Sequence, residues 1–231
     1  GVLLISIKGV GQLDTIHWLP PLMPTQNNVN DQYLYLSTPS TDPFTVVIRD
    51  GGGNVLATPI IANGAPFRYN VGQEMIVGVN DLNNVIANKG LIVEAPVKFY
   101  ANYRVKIPSQ SGSLTGKGRS GKGKTFRIGF MPVVVYGNSR NNFFSIMATE
   151  DNTVVTINDY NPAVVFNGNP TMSAPSLSFV LNAGETYTGS CRYDVVANYD
   201  GLVGALVSSD KDIVVNVGNF LGSLSPTAGG Q

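Results

Sequence analysis

Thr45-Val46-Val47-Ile48-Arg49-Asp50-Gly51-Gly52-Gly53-Asn54 is a short β-branched run that ends in a cluster of turn formers. Such a run reads as a strand followed by a tight reversal. Thr153-Val154-Val155-Thr156-Ile157-Asn158-Asp159-Tyr160-Asn161-Pro162 repeats the pattern further along the chain. Two more echoes lie in the same order. Asn70-Val71-Gly72-Gln73-Glu74 is matched by Asn182-Ala183-Gly184-Glu185, and Lys89-Gly90-Leu91-Ile92-Val93 by Asp200-Gly201-Leu202-Val203-Gly204. All three pairs are separated by roughly 110 residues, as in a duplicated unit whose loops have changed length.

The rest of the chain carries the same signature. Tyr33-Leu34-Tyr35-Leu36-Ser37, Met75-Ile76-Val77-Gly78-Val79, Phe126-Arg127-Ile128-Gly129-Phe130, Val133-Val134-Val135-Tyr136 and Ile213-Val214-Val215-Asn216-Val217 are further short strand candidates bounded by Gly, Pro, Asn or Asp. The run 202–207 is another. In residues 97–103, Val97, Phe99, Ala101 and Tyr103 share one face, and Lys98, Tyr100 and Asn102 share the other. One face packs and the other meets water. No window carries a helical apolar stripe. The expected fold is all-β, with two tandem antiparallel β-sandwich-like units related by internal duplication. The first unit spans 12–115 and the second 126–221, joined by a basic loop at 116–125.

Composition agrees. The chain has 231 residues, 43% hydrophobic and 13% charged, with 26 Gly and 14 Pro, which suits a packed and turn-rich protein. Fifteen Lys and Arg balance fifteen Asp and Glu, so no overall field draws it to nucleic acid. Gly1-Val2-Leu3-Leu4-Ile5-Ser6-Ile7 followed by Gly9-Val10-Gly11 reads as the tail of a secretory signal cleaved before Gln12, or else as a first strand. No later apolar stretch reaches the ~20 residues of a membrane helix. Residues 222–231, rich in Gly, Ser and Pro, read as a linker to a downstream region.

Catalytic signals are weak. Cys191 is the single cysteine and His17 the single histidine, and they stand far apart in sequence, so Cys191 reads as a packed strand residue and not as a nucleophile. Gly118-Arg119-Ser120-Gly121-Lys122-Gly123-Lys124-Thr125 satisfies the phosphate-loop string G-x-x-x-x-G-K-[ST]. A phosphate loop must open a helix whose amides bind the anion. Here Phe126-Arg127-Ile128-Gly129 follows at once and reads as strand, while 108–113 reads as polar loop. No nucleotide is therefore expected, nor any cofactor. Between 106 and 124 the chain holds Lys106, Lys117, Arg119, Lys122 and Lys124 without an acid. Lys117, Arg119, Lys122 and Lys124 are thus candidate contacts for an anionic ligand on a mobile loop, or simply a solvated connection. Glu150, Asp151, Asp159, Asp200, Asp210 and Asp212 lack calcium-loop spacing and read as turn residues, so no metal is expected. Tyr33, Tyr35, Tyr100 and Tyr103 are either a binding platform or core and cross-strand partners.

Several runs resemble a known family. They are His17-Trp18-Leu19-Pro20-Pro21-Leu22, residues 31–39, 88–95 and 124–129, Ser145-Ile146-Met147-Ala148-Thr149-Glu150-Asp151-Asn152-Thr153-Val154-Val155-Thr156-Ile157, and residues 200–211. Together they are similar to the IgGFc-binding protein N-terminal domain family, as found at the start of large Bacteroidetes cell-surface proteins. The resemblance covers nearly all of 13–220 and is most specific at 147–157 and 201–211. It implies a non-catalytic binding or structural module of a larger secreted adhesin, whose partners are an extracellular protein or glycan and downstream domains of the same polypeptide. It also implies type IX secretion, gliding motility and a cell-surface location. Immunoglobulin binding belongs to the animal namesake and has no residue-level motif here. The competing expectation is a glycan-binding attachment of an extracellular hydrolase, which requires an aromatic-lined cleft or a converging carboxylate pair.

Overall fold

The computed structural model describes residues 12–23, 31–107, 110–130, 141–191 and 194–220. The signal-like segment 1–11, the strand expected at 133–136 and the linker 222–231 lie outside the described residues.

Strands run in the order β1 (Asp14–Leu19), β2 (Asp31–Ser37), β3 (Phe44–Thr45), β4 (Val47–Asp50), β5 (Val55–Ala57), β6 (Ile60–Ile61), β7 (Phe67–Asn70), β8 (Val85–Ile86) and β9 (Leu91–Ile107). There follow β10 (Gln110–Thr115), β11 (Gly123–Arg127), β12 (Asn141–Ala148), β13 (Thr153–Asn158), β14 (Leu177–Leu181), β15 (Thr186–Cys191) and β16 (Leu206–Phe220). The described helical pieces are single 3-10 turns at Gln73–Met75, Val79–Asp81, Gly118–Gly121 and Val196–Asn198. The fold is all-β and antiparallel, as the strand signals predict.

Two seven-stranded sheets organise the chain. The first has the order β5-β4-β9-β2-β7 with β1 and β10 also on β9; the second has β14-β13-β16-β12-β15-β8 with β11 on β16. Each is built on one long strand. β9 pairs with β4 through residues 91–94, with β1 through 91–94 and at Phe99, with β2 from Tyr100 onward and with β10 from Asn102 onward. β16 pairs with β13 through 206–209 and with β12 through 213–220. The two units thus share one pairing pattern, in which a leading strand and two inner strands pair with a long strand and each inner strand has one further antiparallel partner. In both, the leading strand slips register where the long strand bends. β1 jumps from Glu94 to Phe99, and β11 from Ser208 to Ile213. Gly90 (φ +83°) and Gly204 (φ +86°) stand just ahead of the long strands, in a left-handed conformation that suits glycine.

Only the first of the three sequence echoes falls on equivalent elements, β4 and β13. Asn70–Glu74 follows β7, whereas Asn182–Glu185 precedes β15, and Gly204, not Gly201, occupies the place of Gly90. The cause is glycine's ubiquity in turns, which makes unrelated reversals look alike. Other boundaries move too. Residues 91–93 and 97–103 belong to one strand carried through Pro96, and 202–204 is a turn. Residues 75–79 form no strand but link two 3-10 turns.

Each unit has its own core. Leu34, Leu36, Ile48, Phe99, Ala101 and Tyr103 fill the first, and Phe144, Ile146, Val155, Ile157, Phe166 and Val207 the second. The side chains at β2 alternate exposed and buried, the period-2 pattern of a half-solvated sheet. The units are interlocked. β8, from the first half, pairs with β15 of the second sheet, and Met23, Val77, Leu82 and Phe143 form a small shared cluster. Asn216 Nδ2 donates to Pro20 O at 2.8 Å and to Pro21 O at 3.2 Å.

Candidate functional site

β7, β2, β9 and β10 lie side by side, and their outward residues fall in register. Asn70, Tyr33, Arg104 and Ser113 make one row across the four strands, and Arg68, Tyr35, Asn102 and Thr115 the next. Asp31, Lys106 and Ser111 continue the array on three of them. The alternate residues Leu34, Leu36, Ala101, Tyr103 and Val105 point inward, and this burial holds the face in place.

Geometry within the face is specific. The Arg68 guanidinium sits 4.5 Å from the centre of the Tyr33 ring, and that of Arg104 sits 5.1 Å from the Tyr35 ring. The two tyrosine rings meet edge-on at 6.2 Å. Arg104 Nε donates to Asn102 Oδ1 at 2.9 Å, while Asn102 Nδ2 donates to Ser113 Oγ at 3.0 Å and Thr115 Oγ1 at 2.8 Å. No ion pair holds Arg68, Arg104 or Lys106 among the described residues. An open groove of about 550 Å³ runs over Tyr33, Tyr35, Arg104, Lys106, Ser111 and Ser113.

The four tyrosines singled out in the sequence divide. Tyr33, Tyr35 and Tyr100 face outward, whereas Tyr103 is core, its hydroxyl donating to Gln32 Oε1 at 2.7 Å. Burial pushes the Tyr103 phenol well above its ordinary range. The arginines of the face were not singled out in the sequence. The alternation in β9 pointed to the orientation of Arg104, but nothing local announced β7, which carries Arg68, or β10. Gln110–Thr115 is a strand rather than the polar loop expected there, because pairing with β9 overrides its low β propensity.

The basic residues are more structured than a mobile loop. Arg119 binds Asp14 through both its guanidinium and its backbone N–H, the latter at 2.7 Å, and reaches Thr15 Oγ1 at 2.9 Å. Lys122 pairs with Asp212 at 3.3 Å and lies over the Trp18 ring. Lys117 and Lys124 are exposed. Arg119 and Lys122 pin the 3-10 turn Gly118–Gly121 to β1 and β16. Thr125 lies within β11, so the phosphate-loop string opens a strand and not a helix.

Remaining candidates are structural. His17 is fully buried, with Nε2 2.9 Å from Phe99 O, and burial lowers its pKa. Burial also holds the Cys191 thiol protonated, with its pKa pushed far up. Asp159 accepts from Arg127 at 3.0 Å, and the carboxylates of Asp210 and Asp151 accept the backbone N–H groups of Val154 and Ala183. Among the described residues no group of His, Cys, Asp and Glu is placed to hold a metal.

The described chain is an all-β body with an open polar and aromatic sheet face. Residues 111–230 match the family described as IgGFc binding protein, and the chain belongs to that family of binding domains. No curated protein and no solved structure matches the chain. The family match takes in β10 and the second unit, while β7, β2 and β9 of the face lie ahead of it.

Proposed function

We propose that this chain is a non-catalytic binding module of a larger secreted bacterial surface protein, and that its ligand, a protein or a glycan, is held on the outward face of β7, β2, β9 and β10. Membership of a family of binding domains supports the class of function. The observation that carries the site is the array of Tyr33, Tyr35, Arg68 and Arg104, exposed in register on a rigid sheet. Side chains on a sheet supported by a packed core are pre-organised, which lowers the entropy lost on binding. No described helix is long and apolar enough to cross a membrane.

On this reading the surface location and the attachment to further domains follow the family's habit, and a role in adhesion follows from the exposed face. The shared pairing pattern of the two units supports descent from one duplicated unit, divided near 12–115 and 126–221. The test is a glycan and protein array probed with the native chain and with a Tyr33→Ser/Tyr35→Ser variant. A ligand retained by the native chain and lost by the variant supports the reading. A ligand held equally by both contradicts the site.

A further inference from the structure

We infer that the ligand on this face is an anionic polysaccharide, one bearing carboxylate or sulfate groups, and this rests on the binding-module reading above. The first observation is charge. Arg68, Arg104 and Lys106 stand on the face against one acid, Asp31, in a chain whose total charge is zero. All fifteen acidic residues lie within the described segments, and none forms an ion pair with those three cations. The positive charge is therefore available to a ligand.

The second observation is how the guanidinium groups are held. A guanidinium lying over a tyrosine ring keeps its N–H donors in its own plane, directed away from the ring and toward solvent. Arg68 and Arg104 each lie over a tyrosine ring, and with Arg104 Nε given to Asn102 its terminal N–H groups are the ones left to capture a carboxylate or sulfate. Arg68 and Arg104 lie two strands apart and one register step off, on the order of 12 Å by strand spacing. They suit charges carried at intervals on an extended chain and not one compact anion.

The third observation favours sugar over peptide. Beside Arg104 and Lys106 the surface carries Asn102 on β9 and Ser111, Ser113 and Thr115 on β10, hydroxyl and amide groups that match a sugar's hydroxyls. Along these inner strands the backbone groups are consumed by the sheet ladder, so a peptide cannot add as a strand there. A neutral sugar stacks on an open ring face, and each tyrosine has a guanidinium on one of its faces.

The test titrates the full chain, at low and physiological salt, with heparin, polygalacturonate, dextran and poly-glutamate. Heparin or polygalacturonate should bind at least about ten-fold tighter than dextran or poly-glutamate, and Arg68→Ala/Arg104→Ala should weaken that binding about ten-fold or more. Lys117→Ala/Lys124→Ala should change it less than about two-fold, since exposed single charges contribute little. Circular dichroism and melting establish that each variant is folded. Preference for poly-glutamate overturns the polysaccharide assignment in favour of an acidic protein. Dependence on Lys117 and Lys124 instead of the arginines overturns the site. Failure of every polyanion overturns the inference, while a ligand from the array that still requires Tyr33 and Tyr35 leaves the binding-module reading intact.

Discussion

Gly51 and Gly184 meet backbone to backbone, one from the turn after β4 and the other from the turn before β15, so that the two units touch where neither has a side chain. A Cβ placed on Gly51 would lie 2.5 Å from Gly184 O, and one placed on Gly184 would collide with Gly51 O. Gly184 also has φ +82°, a conformation costly for other residues.

Gly184→Ala should therefore destabilise the whole protein by about 2 kcal/mol or more, combining backbone strain with overpacking. Gly53→Ala is the control, because Gly53 has a similar φ of +86° but open space around it. Thermal melting that shows no greater loss for Gly184→Ala than for Gly53→Ala would remove the contact from the account.

The shared elements make the second unit dependent on the first. β8 completes the second sheet at Thr186 and Tyr187, and Leu82 packs with Phe143. A fragment of residues 111–231, close to the span of the family match, should melt without a cooperative transition, and adding residues 12–110 in trans should restore one. A sharp, reversible melt of the fragment alone would show that the units fold independently.

Acid should weaken the fold in two separate ranges. His17 is buried and neutral, its pKa depressed below the ordinary 6.5. The unfolded chain therefore takes up that proton first, and stability is lost as pH falls below about 6.5 toward the folded value. His17→Leu should flatten this part of the curve, read as the urea midpoint between pH 7 and 5.

Asp14 acts lower. Burial raises its pKa, but the backbone N–H groups of Arg119 and Thr15, with the Arg119 charge, outweigh this and hold it below the ordinary 3.8. Its contribution is present above about 3.8 and disappears as pH falls through the folded value. Arg119→Ala, which keeps the backbone N–H and removes the charge, should shift that loss toward higher pH; an unchanged midpoint would show that the Arg119 guanidinium does not hold Asp14.

Much of the architecture was legible in the sequence. β2, β4, β13 and the alternation within β9 follow from β-branched and aromatic runs with period 2, which a half-buried strand requires. The long strands were read as broken, since Pro96 and the turn-forming residues 208–212 interrupt the pattern where the chain bends without leaving the sheet. The face was legible one strand at a time. Tyr33 and Tyr35 were visible as candidates, but Arg68 and Arg104 come beside them only through pairing of β7, β2 and β9, a contact across distant residues that no local pattern encodes. The basic run at 117–124 was visible for the opposite reason. Its charges cluster in sequence, yet Asp14 and Asp212, which engage two of them, come from far away.

The most direct test is amide chemical-shift mapping of the full chain during titration with the tightest-binding glycan or protein from the array. The account predicts shifts concentrated in β7, β2, β9 and β10, around Tyr33, Tyr35, Arg68 and Arg104, with little change at Lys117, Lys124 or the second sheet. Shifts centred on the 3-10 turn at Gly118–Gly121 or on the second unit, with this face silent, would contradict it.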